Sequence, residues 1–144
     1  MASYSWLLFA LLSAFFASLV AIFGKIGLQG VDTNVATAIR AVIMALFLVA
    51  VIAVQGHLGA IGEVAANHKA LLFIVLSGVA GAVSWLCYFF ALKIGEVSKV
   101  APIDRLSVVF AIILALVFLG EKLSVKAGIG AALIAAGAVL LAIG

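Results

Sequence analysis

The stretch ALLFIVLSGVAGAVSWLCYFFAL, residues 70–92, contains no charged side chain. It is long enough to cross a bilayer, since a transmembrane helix needs about 20 predominantly apolar residues. Runs of similar length and character cover residues 6–24, 33–54, 100–119 and 125–143. The whole chain is 69% hydrophobic and 9% charged, whereas a soluble domain carries roughly 25% charged residues. We therefore predict an all-α integral membrane bundle of five transmembrane helices, with lipid solvating its outer surface.

The connections between these runs are short, and residues 1–144 are predicted to form a single domain. The second span is expected to begin at Asp32 or Thr33, because either side chain can accept hydrogen bonds from first-turn N–H groups. The longest polar stretch, residues 55–69, is expected to be a surface loop with room for one interfacial turn. Lys25 follows the first apolar run instead of preceding it, so this run is predicted to be a mature helix and not a secretory signal.

The charged residues are few and dispersed. The formal net charge is +3, without the clustered lysine and arginine that nucleic-acid binding needs, so no nucleic-acid partner is predicted. Five spans place the two ends of the chain on opposite sides of the membrane, and orientation then depends on how cationic residues divide between the faces. The lysines divide evenly, with Lys25, Lys93 and Lys99 on one face of the membrane and Lys69, Lys122 and Lys126 on the other. Arg40 and Arg105 add to the first face only if residues near the ends of spans are counted. Such a weak bias allows insertion in both orientations.

The sequence contains no pattern typical of an enzyme. There is no Ser/His/Asp grouping, no pair of carboxylates at membrane depth and no phosphate-binding glycine loop. His57, Glu63 and His68 share one polar stretch, but their spacing matches no familiar zinc site. Cys87 is the only cysteine, so one chain forms neither an intramolecular disulfide nor a cysteine-based metal site. We predict neither a metal nor a cofactor.

Three segments carry a resemblance to a known family. The most specific is FLGEKLSVKAGIGAALIAAGAVLL, residues 118–141, in which Leu119-Gly120-Glu121 precedes a helix rich in glycine and alanine. The others are FGKIGLQGVDTNVATAIRA, residues 23–41, and WLCYFFALKIGEVSKVAPIDRLSVVFAIIL, residues 85–114. Together they cover nearly the whole chain. In these segments, and in their order, the sequence resembles the EamA-like domain of the drug/metabolite transporter superfamily.

This resemblance implies a secondary transporter for a small metabolite or drug-like solute. Most members of that family resemble two such five-helix units fused in one chain, inserted in opposite orientations around a central substrate cavity. Only one unit is present here, so the resemblance implies half of an inverted-repeat transporter, completed by an antiparallel homodimer. The related small multidrug resistance transporters have four helices and a glutamate in the first. The first span here has Ser13 and Ser18 but no acidic residue, so their route of proton-coupled export is not supported.

Among the charged residues, Arg40 is expected well inside the second span, and Asp104 and Arg105 are expected in the first turns of the fourth. A charged side chain at membrane depth costs about 2.5 to 3.5 kcal/mol on insertion scales and usually faces a partner or a wet cavity. We predict that Arg40, Asp104 and Arg105 line the translocation cavity. The alternative is that they pair or snorkel at helix ends. Pro102 is expected near the start of the fourth span, where its missing N–H is harmless.

The third span carries a stripe of small and polar residues. Ser77, Gly81, Ser84 and Tyr88 are spaced by three or four residues, which places them on one face of a helix, with Trp85 and Phe89 on the adjacent strip. The stripe favours either close packing against a neighbouring helix or a cavity in which Ser84, Trp85 and Tyr88 contact an organic substrate.

The first span offers a matching face. Ser13 and Phe16 follow the same helical spacing, and we predict that they face the same cavity. Packing or lipid contact is the alternative for these residues. The predicted substrate-binding residues are Ser13, Phe16, Arg40, Ser84, Trp85, Tyr88, Asp104 and Arg105.

The fifth span repeats small residues at intervals of four. In lipid such surfaces let helix backbones approach closely, so this span is predicted to be a main packing helix and a possible dimer contact. Glu121 is expected to complement the positive end of its dipole, with a gating ion pair to a loop lysine as the alternative. The repeated residues are Gly128-Ala132-Ala136 and Ala127-Ala131-Ala135.

Taken together, these features predict a multi-pass transporter subunit of the cell membrane. It is expected to bind a small molecule between two oppositely inserted copies and to expose the site to each side by alternating rocking. Two other functions stay open on the sequence alone. One is a noncatalytic assembly or accessory subunit that requires a different partner chain, and the other is a passive pore.

Overall fold

A computed structural model describes residues 5–144, and every regular element in this part of the chain is helical. Five of its stretches are long and apolar enough to cross a membrane, which confirms the predicted all-α class. The helices α1 to α7 are Ser5–Gly27, Thr33–Val54, Ala60–Ala66, His68–Ile94, Val97–Asp104, Ser107–Leu114 and Val125–Ile143, and a π-helical segment covers Ala115–Leu119. The five candidate spans are α1, α2, α4, α7 and Val97–Leu119, which is the fourth span and joins α5, α6 and the π-helical segment.

Most large apolar side chains of the spans are exposed. Phe47 in α2 is 67% exposed and Leu133 in α7 is 68% exposed. A helix satisfies its own backbone hydrogen bonds, so such faces are stable against hydrocarbon, whereas in water they would form apolar patches. The exposed faces are therefore surfaces for lipid or for another membrane-embedded chain. Among the described residues, the buried apolar side chains are Ala21, Leu28, Phe89, Leu92 and Ala138.

The chain divides into two compact units. The central unit is Gly27–Lys93 and contains α2, α3 and nearly all of α4. The terminal unit comprises the residues up to Ile26 together with Ile94–Gly144, and so contains α1, α5, α6 and α7.

In the central unit, α2 begins at a capped turn. The Asp32 carboxylate oxygen Oδ1 accepts hydrogen bonds from the backbone N–H groups of Asn34 and Val35 at 2.9 and 3.0 Å. These bonds satisfy two of the four N–H donors that have no partner within the helix. Of the two expected caps, Asp32 therefore has this role, and Thr33 is the first helical residue with a buried side chain.

The polar stretch after α2 is more ordered than the expected loop. The N–H of His57 donates to the carbonyl of Ile52 at 2.9 Å, and Gly56, with a φ of 74°, donates to Ala53 at 3.0 Å. This is a Schellman motif, which favours glycine because the left-handed conformation is inexpensive without a Cβ. The short helix α3 follows, and the Asn67 side chain then accepts from the N–H of Ala70 at 3.1 Å. Because of this cap, α4 begins two residues before the expected bound.

In the terminal unit, α1 ends at Gly27, three residues beyond the expected Gly24, and the amine of Lys25 in its last turn donates to the carbonyl of Gly95 at 2.7 Å. The fourth span begins at Val97, so Pro102 is its sixth residue, and its expected position at the start of the helix is wrong.

Two tight turns follow Pro102 in the fourth span. The N–H groups of Arg105 and Leu106 donate to the carbonyls three residues earlier, at 3.1 and 3.0 Å. The helix is therefore wound more tightly between α5 and α6 than in an α-helix, whose bonds reach four residues back.

The Leu119-Gly120-Glu121 segment ends the fourth span. Gly120 has a φ of 65°, and the N–H groups of Gly120 and Glu121 both donate to the carbonyl of Ala115. A left-handed backbone strains any residue with a Cβ, so this turn requires glycine.

Ser124 caps α7. Its side-chain oxygen accepts from the N–H of Ala127 at 3.2 Å, and the first turn of α7 contains no acidic residue. The expectation that Glu121 complements the start of this helix is therefore wrong, because Glu121 lies three residues before the cap.

The helix α7 packs against α5 and α6. Its small residues divide between two faces. Ala138 is buried and Gly128, Ala131 and Ala135 are half-buried, whereas Ala127, Ala132 and Ala136 are exposed. Part of the small-residue pattern thus serves packing inside the terminal unit, and part lies on the surface.

Candidate substrate-binding site

Arg40 and Trp85 are the two predicted site residues in closest contact. Arg40 lies eight residues after Asp32, about 12 Å along the axis of α2, so it lies within the span and not at its end. The guanidinium carbon Cζ is 3.3 Å from the centroid of the Trp85 ring on α4. At this distance the planar guanidinium stacks on the indole and is attracted by the electron-rich face of the ring.

Phe89 provides a second ring beneath the same cation. Its centroid is 4.7 Å from Cζ of Arg40 and 5.3 Å from the centroid of Trp85, with the two rings tilted by 36°. Phe89 is only 3% exposed. Tyr88 completes an aromatic cluster, Trp85, Tyr88 and Phe89, with centroid distances of 6.2 Å to Trp85 and 5.9 Å to Phe89. Phe89 was not among the predicted site residues, although its spacing of four from Trp85 places it one helical turn further on the same face.

The positive charge of Arg40 is met by rings and not by a carboxylate. Within residues 5–144, the contacts of its guanidinium are those with Trp85 and Phe89. The acidic residues of the central unit are Asp32 and Glu63. Asp32 caps α2, and Glu63 lies on α3, beyond the opposite end of α2. Because a guanidinium stays charged in proteins, the central unit holds a cation inside a span without an acidic partner.

Two threonines lie on the same face of α2 as Arg40. Thr33, Thr37 and Arg40 are spaced by four and three residues, so they align on one side of the helix. The Thr37 hydroxyl donates to the carbonyl of Thr33 at 2.7 Å. The hydroxyl oxygen of Thr33 is buried and has no hydrogen-bond partner in the described part of the chain. Neither threonine was predicted as a site residue, since a threonine in an apolar helix carries no distinctive sequence signal.

The buried stripe of α4 differs from the small-residue stripe singled out in the sequence. Trp85 and Tyr88 are half-buried and lie in the aromatic cluster, whereas Ser84 and Ser77 are exposed. The side of α4 that carries the rings is therefore more buried than the side that carries the two serines. The buried and half-buried residues of α4 are Ala70, Leu71, Gly81, Trp85, Tyr88, Phe89, Ala91 and Leu92.

The other predicted site residues belong to the terminal unit. Ser13 and Phe16 are exposed on α1, and the Phe16 ring meets Phe15 edge-on, with centroids 5.7 Å apart. Asp104 is half-buried at the end of α5, and Arg105 follows it and is exposed. Because the span begins at Val97, Asp104 lies about 10 Å along it, deeper than a start at Val100 would place it.

The terminal unit also contains a cleft of about 560 Å³. Apolar residues of α6 and of the π-helical segment form most of its wall, and Glu121, Lys122 and Ser124 form a polar edge. None of the eight predicted substrate-binding residues lines this cleft. A π-helical turn is uncommon and frequently marks a functional position.

The described residues contain no group of three or more His, Cys, Asp or Glu side chains that could hold a metal ion. His57, Glu63 and His68 lie before, within and after α3.

Five helices long and apolar enough to cross a bilayer indicate an integral membrane protein, and one of them carries a charged side chain that lies over an aromatic ring. The chain belongs to the EamA-like transporter family, whose model matches residues 4–143, so the family resemblance of the sequence is confirmed. A relative from Sinorhizobium sp, named "Uncharacterized transporter in cobO 3'region", is 45% identical over 141 residues. That alignment covers 98% of this chain and 99% of the relative, so the relative also has the length of one five-helix unit. No solved structure matches the chain.

Proposed function

We propose that the protein is a secondary transporter subunit that moves a small, partly apolar metabolite or drug-like solute across the cell membrane by alternating access, as an antiparallel homodimer. The observation that carries the proposal is Arg40 on the aromatic cluster, inside a unit of five spans. A charge at this depth is costly unless it serves a partner or a wet route. Membership of a transporter family and the name of the Sinorhizobium relative support solute transport.

The number of five-helix units in this chain and the distribution of charge support the proposed homodimer. Many secondary transporters enclose a midplane site between two repeats of opposite orientation. This chain provides one five-helix unit, and a second copy inserted the other way round would supply the inverted repeat. Its lysines divide three to three between the two ends of the spans, which leaves both orientations accessible. The exposed small residues of α7, Ala132 and Ala136, offer a surface on which another helix could approach closely.

The proposed substrate contacts centre on the Arg40 cluster. Each copy would contribute Arg40, Trp85 and Tyr88, and rocking of the copies would open the site to one side and then to the other. In an antiparallel pair the two arginines would lie about 12 Å from opposite faces of a hydrocarbon core about 30 Å thick, close to the midplane. Ser13, Phe16, Ser84, Asp104 and Arg105 complete the proposed set.

Labelling of two loops tests the orientation. Gln29 and His57 are exposed and lie at opposite ends of α2, so they lie on opposite sides of the membrane. In a Cys87→Ser background, Gln29→Cys and His57→Cys are each labelled in intact cells with a membrane-impermeant maleimide. Dual insertion predicts that about half of each variant reacts, with the remainder reacting after permeabilisation. Complete labelling of one variant and none of the other would rule out the antiparallel pair, although not transport itself.

Solute flux tests the transport activity. The purified protein is reconstituted into phosphatidylcholine vesicles, and uptake of a panel of radiolabelled metabolites is compared with uptake by empty vesicles. Saturable uptake that shows counterflow supports alternating access. Conductance without saturation would favour a pore. If no solute enters and the protein is monomeric, an accessory subunit with a different partner chain becomes the better explanation.

A further inference from the structure

Trp85 contacts Arg40 at a distance that brings the face of the guanidinium against the ring. With Cζ 3.3 Å from the centroid of Trp85, the plane of the guanidinium lies over the ring. The N–H donors of a guanidinium lie within its plane, so stacking does not use them. An arginine held in this way presents a fork of donors whose geometry matches the two oxygens of a carboxylate or phosphate group.

The charge balance of the central unit favours a negative ligand. The two carboxylates of this unit, Asp32 and Glu63, cap α2 and lie on α3, as described above. The rings compensate only part of a positive charge at membrane depth. A cationic solute would be repelled by Arg40, and a neutral solute would leave its charge in place. An anion would neutralise it and would also accept the in-plane hydrogen bonds.

A second donor lies on the same helix face. Thr33 is 5% exposed, and its hydroxyl has no partner within residues 5–144. A buried hydroxyl without a partner is unfavourable, and a hydroxyl donates readily to an oxyanion. The central unit thus combines a fixed cation and a hydroxyl on α2 with an apolar aromatic surface on α4.

We infer that this site binds an organic oxyanion, with its carboxylate or phosphate-type group on Arg40 and its apolar body against Trp85 and Tyr88. The inference rests on the proposed transport function, because it specifies which class of solute that function would carry. The phosphate of an anionic lipid has the same oxyanion chemistry, so the experiment includes an arm that separates a lipid from a soluble solute.

Three probes with one apolar body test the charge preference. They are 3-phenylpropionate, 3-phenylpropanamide and 3-phenylpropylamine, which are negative, neutral and positive. The chain has two tryptophans, so Trp6→Phe leaves Trp85 as the fluorescent reporter in phosphatidylcholine nanodiscs. We expect saturable quenching by the propionate and affinity for the amide weaker by about tenfold or more, as loss of a hydrogen bond to a charged group implies. Equal or tighter binding of the amide or the amine overturns the inference, and this result needs no Arg40 variant.

Variants of Arg40 separate binding from a structural role. Arg40→Gln should weaken binding of 3-phenylpropionate by about tenfold or more while changing amide binding less than twofold. The affinity of Arg40→Lys for 3-phenylpropionate should lie between those of the parent protein and Arg40→Gln, because lysine keeps the charge but lacks the planar fork of donors. Lys69 is an exposed cation at the start of α4, and Lys69→Gln is the matched control. This variant should leave the affinities for propionate and amide unchanged. Equal weakening of propionate and amide in Arg40→Gln would indicate a structural role and overturn the inference.

The lipid arm repeats the titration in phosphatidylglycerol nanodiscs. Saturable propionate binding in phosphatidylcholine, which contains no anionic lipid, supports a soluble anion as the occupant of the site. A response of Trp85 to phosphatidylglycerol alone, without any response to propionate, assigns the site to lipid and overturns the inference.

Flux separates failure of this inference from failure of the proposed function. Saturable uptake of the amide or the amine without uptake of propionate would leave a transporter but overturn the oxyanion class. Propionate binding at Trp85 without flux of any probe or panel metabolite would support the anion site and overturn transport.

Discussion

The contact between Arg40 and Trp85 makes a quantitative prediction about how α2 and α4 are held together. Arg40→Met and Trp85→Leu each remove one partner while keeping an apolar side chain of useful length. The two single variants, the double variant and the parent protein form a double-mutant cycle. Its coupling energy isolates the interaction between the two side chains from the other effects of each substitution.

The expected coupling is about 1 to 2 kcal/mol. A cation over an aromatic ring contributes about 0.5 to 1 kcal/mol at exposed sites and about 2 kcal/mol when desolvated. The distance of 3.3 Å and the position within a span place this contact towards the larger value. Phe89 keeps its contact with Arg40 at 4.7 Å in Trp85→Leu, so the cycle reports the contribution of Trp85 alone.

The assay is equilibrium unfolding in dodecylmaltoside micelles titrated with sodium dodecyl sulfate and followed by circular dichroism. A parallel cycle between Arg40 and Phe73 is the control. Phe73 is exposed on the same helix, 12 residues before Trp85, about 18 Å away along the axis. The Arg40–Phe73 coupling should stay within about 0.5 kcal/mol of zero, as for distant sites. A coupling for Arg40–Trp85 that is no larger than this control would refute the stacking.

Three further predictions concern the helix ends and α7; the first two are measured by the same unfolding assay, and the third by that assay together with size-exclusion chromatography. Asp32→Ala should lower the free energy of unfolding by about 1 kcal/mol because two first-turn N–H groups lose their acceptor. Asp32→Asn keeps an acceptor oxygen and should retain most of the parent stability. Equal losses of stability in both variants would contradict the capping role. Gly120→Ala should lower the free energy of unfolding by about 1 kcal/mol because its backbone is left-handed. Gly78→Ala, in the interior of α4 with open space around it, is the control and should be neutral or stabilising. A neutral effect of Gly120→Ala would argue against the left-handed turn. Ala138→Leu should destabilise the protein by about 1 to 3 kcal/mol through overpacking. Ala132→Leu lies on the exposed face and should instead weaken self-association on size-exclusion chromatography. Destabilisation by Ala132→Leu together with weaker self-association of Ala138→Leu would exchange the roles of the two faces.

Length and apolar composition were sufficient to predict five spans, because the hydrocarbon core imposes both requirements on any helix that crosses it. The ends of the spans were less accessible. The fourth span begins three residues earlier than expected, and this shift alone moves Pro102 out of the first turn and Asp104 deeper. At the start of α7, Glu121 was expected to complement the helix dipole, but the backbone places Ser124 at the cap and Glu121 three residues before it.

The candidate site was predicted in part. Arg40 was conspicuous because charge is rare at membrane depth, and Trp85 and Tyr88 were conspicuous because they are aromatic. Their contact with Phe89 was not predicted, because both faces of a lipid-exposed helix are apolar and the pattern of α4 does not mark which face turns inward. Only side-chain packing in three dimensions distinguishes Trp85 and Phe89 from equally apolar neighbours such as Phe90, which is 59% exposed.

In the proposed transporter, the unneutralised guanidinium of Arg40 also bears on whether exchange or net transport is faster. When the two copies rock while the site is empty, the closing site excludes water from an uncompensated charge, whereas a site loaded with an anion encloses a nearly neutral pair. Reorientation would then be faster with cargo than without it. Such a protein would work chiefly as an exchanger. Unlabelled anion added outside the vesicles would then accelerate the efflux of labelled anion from inside them.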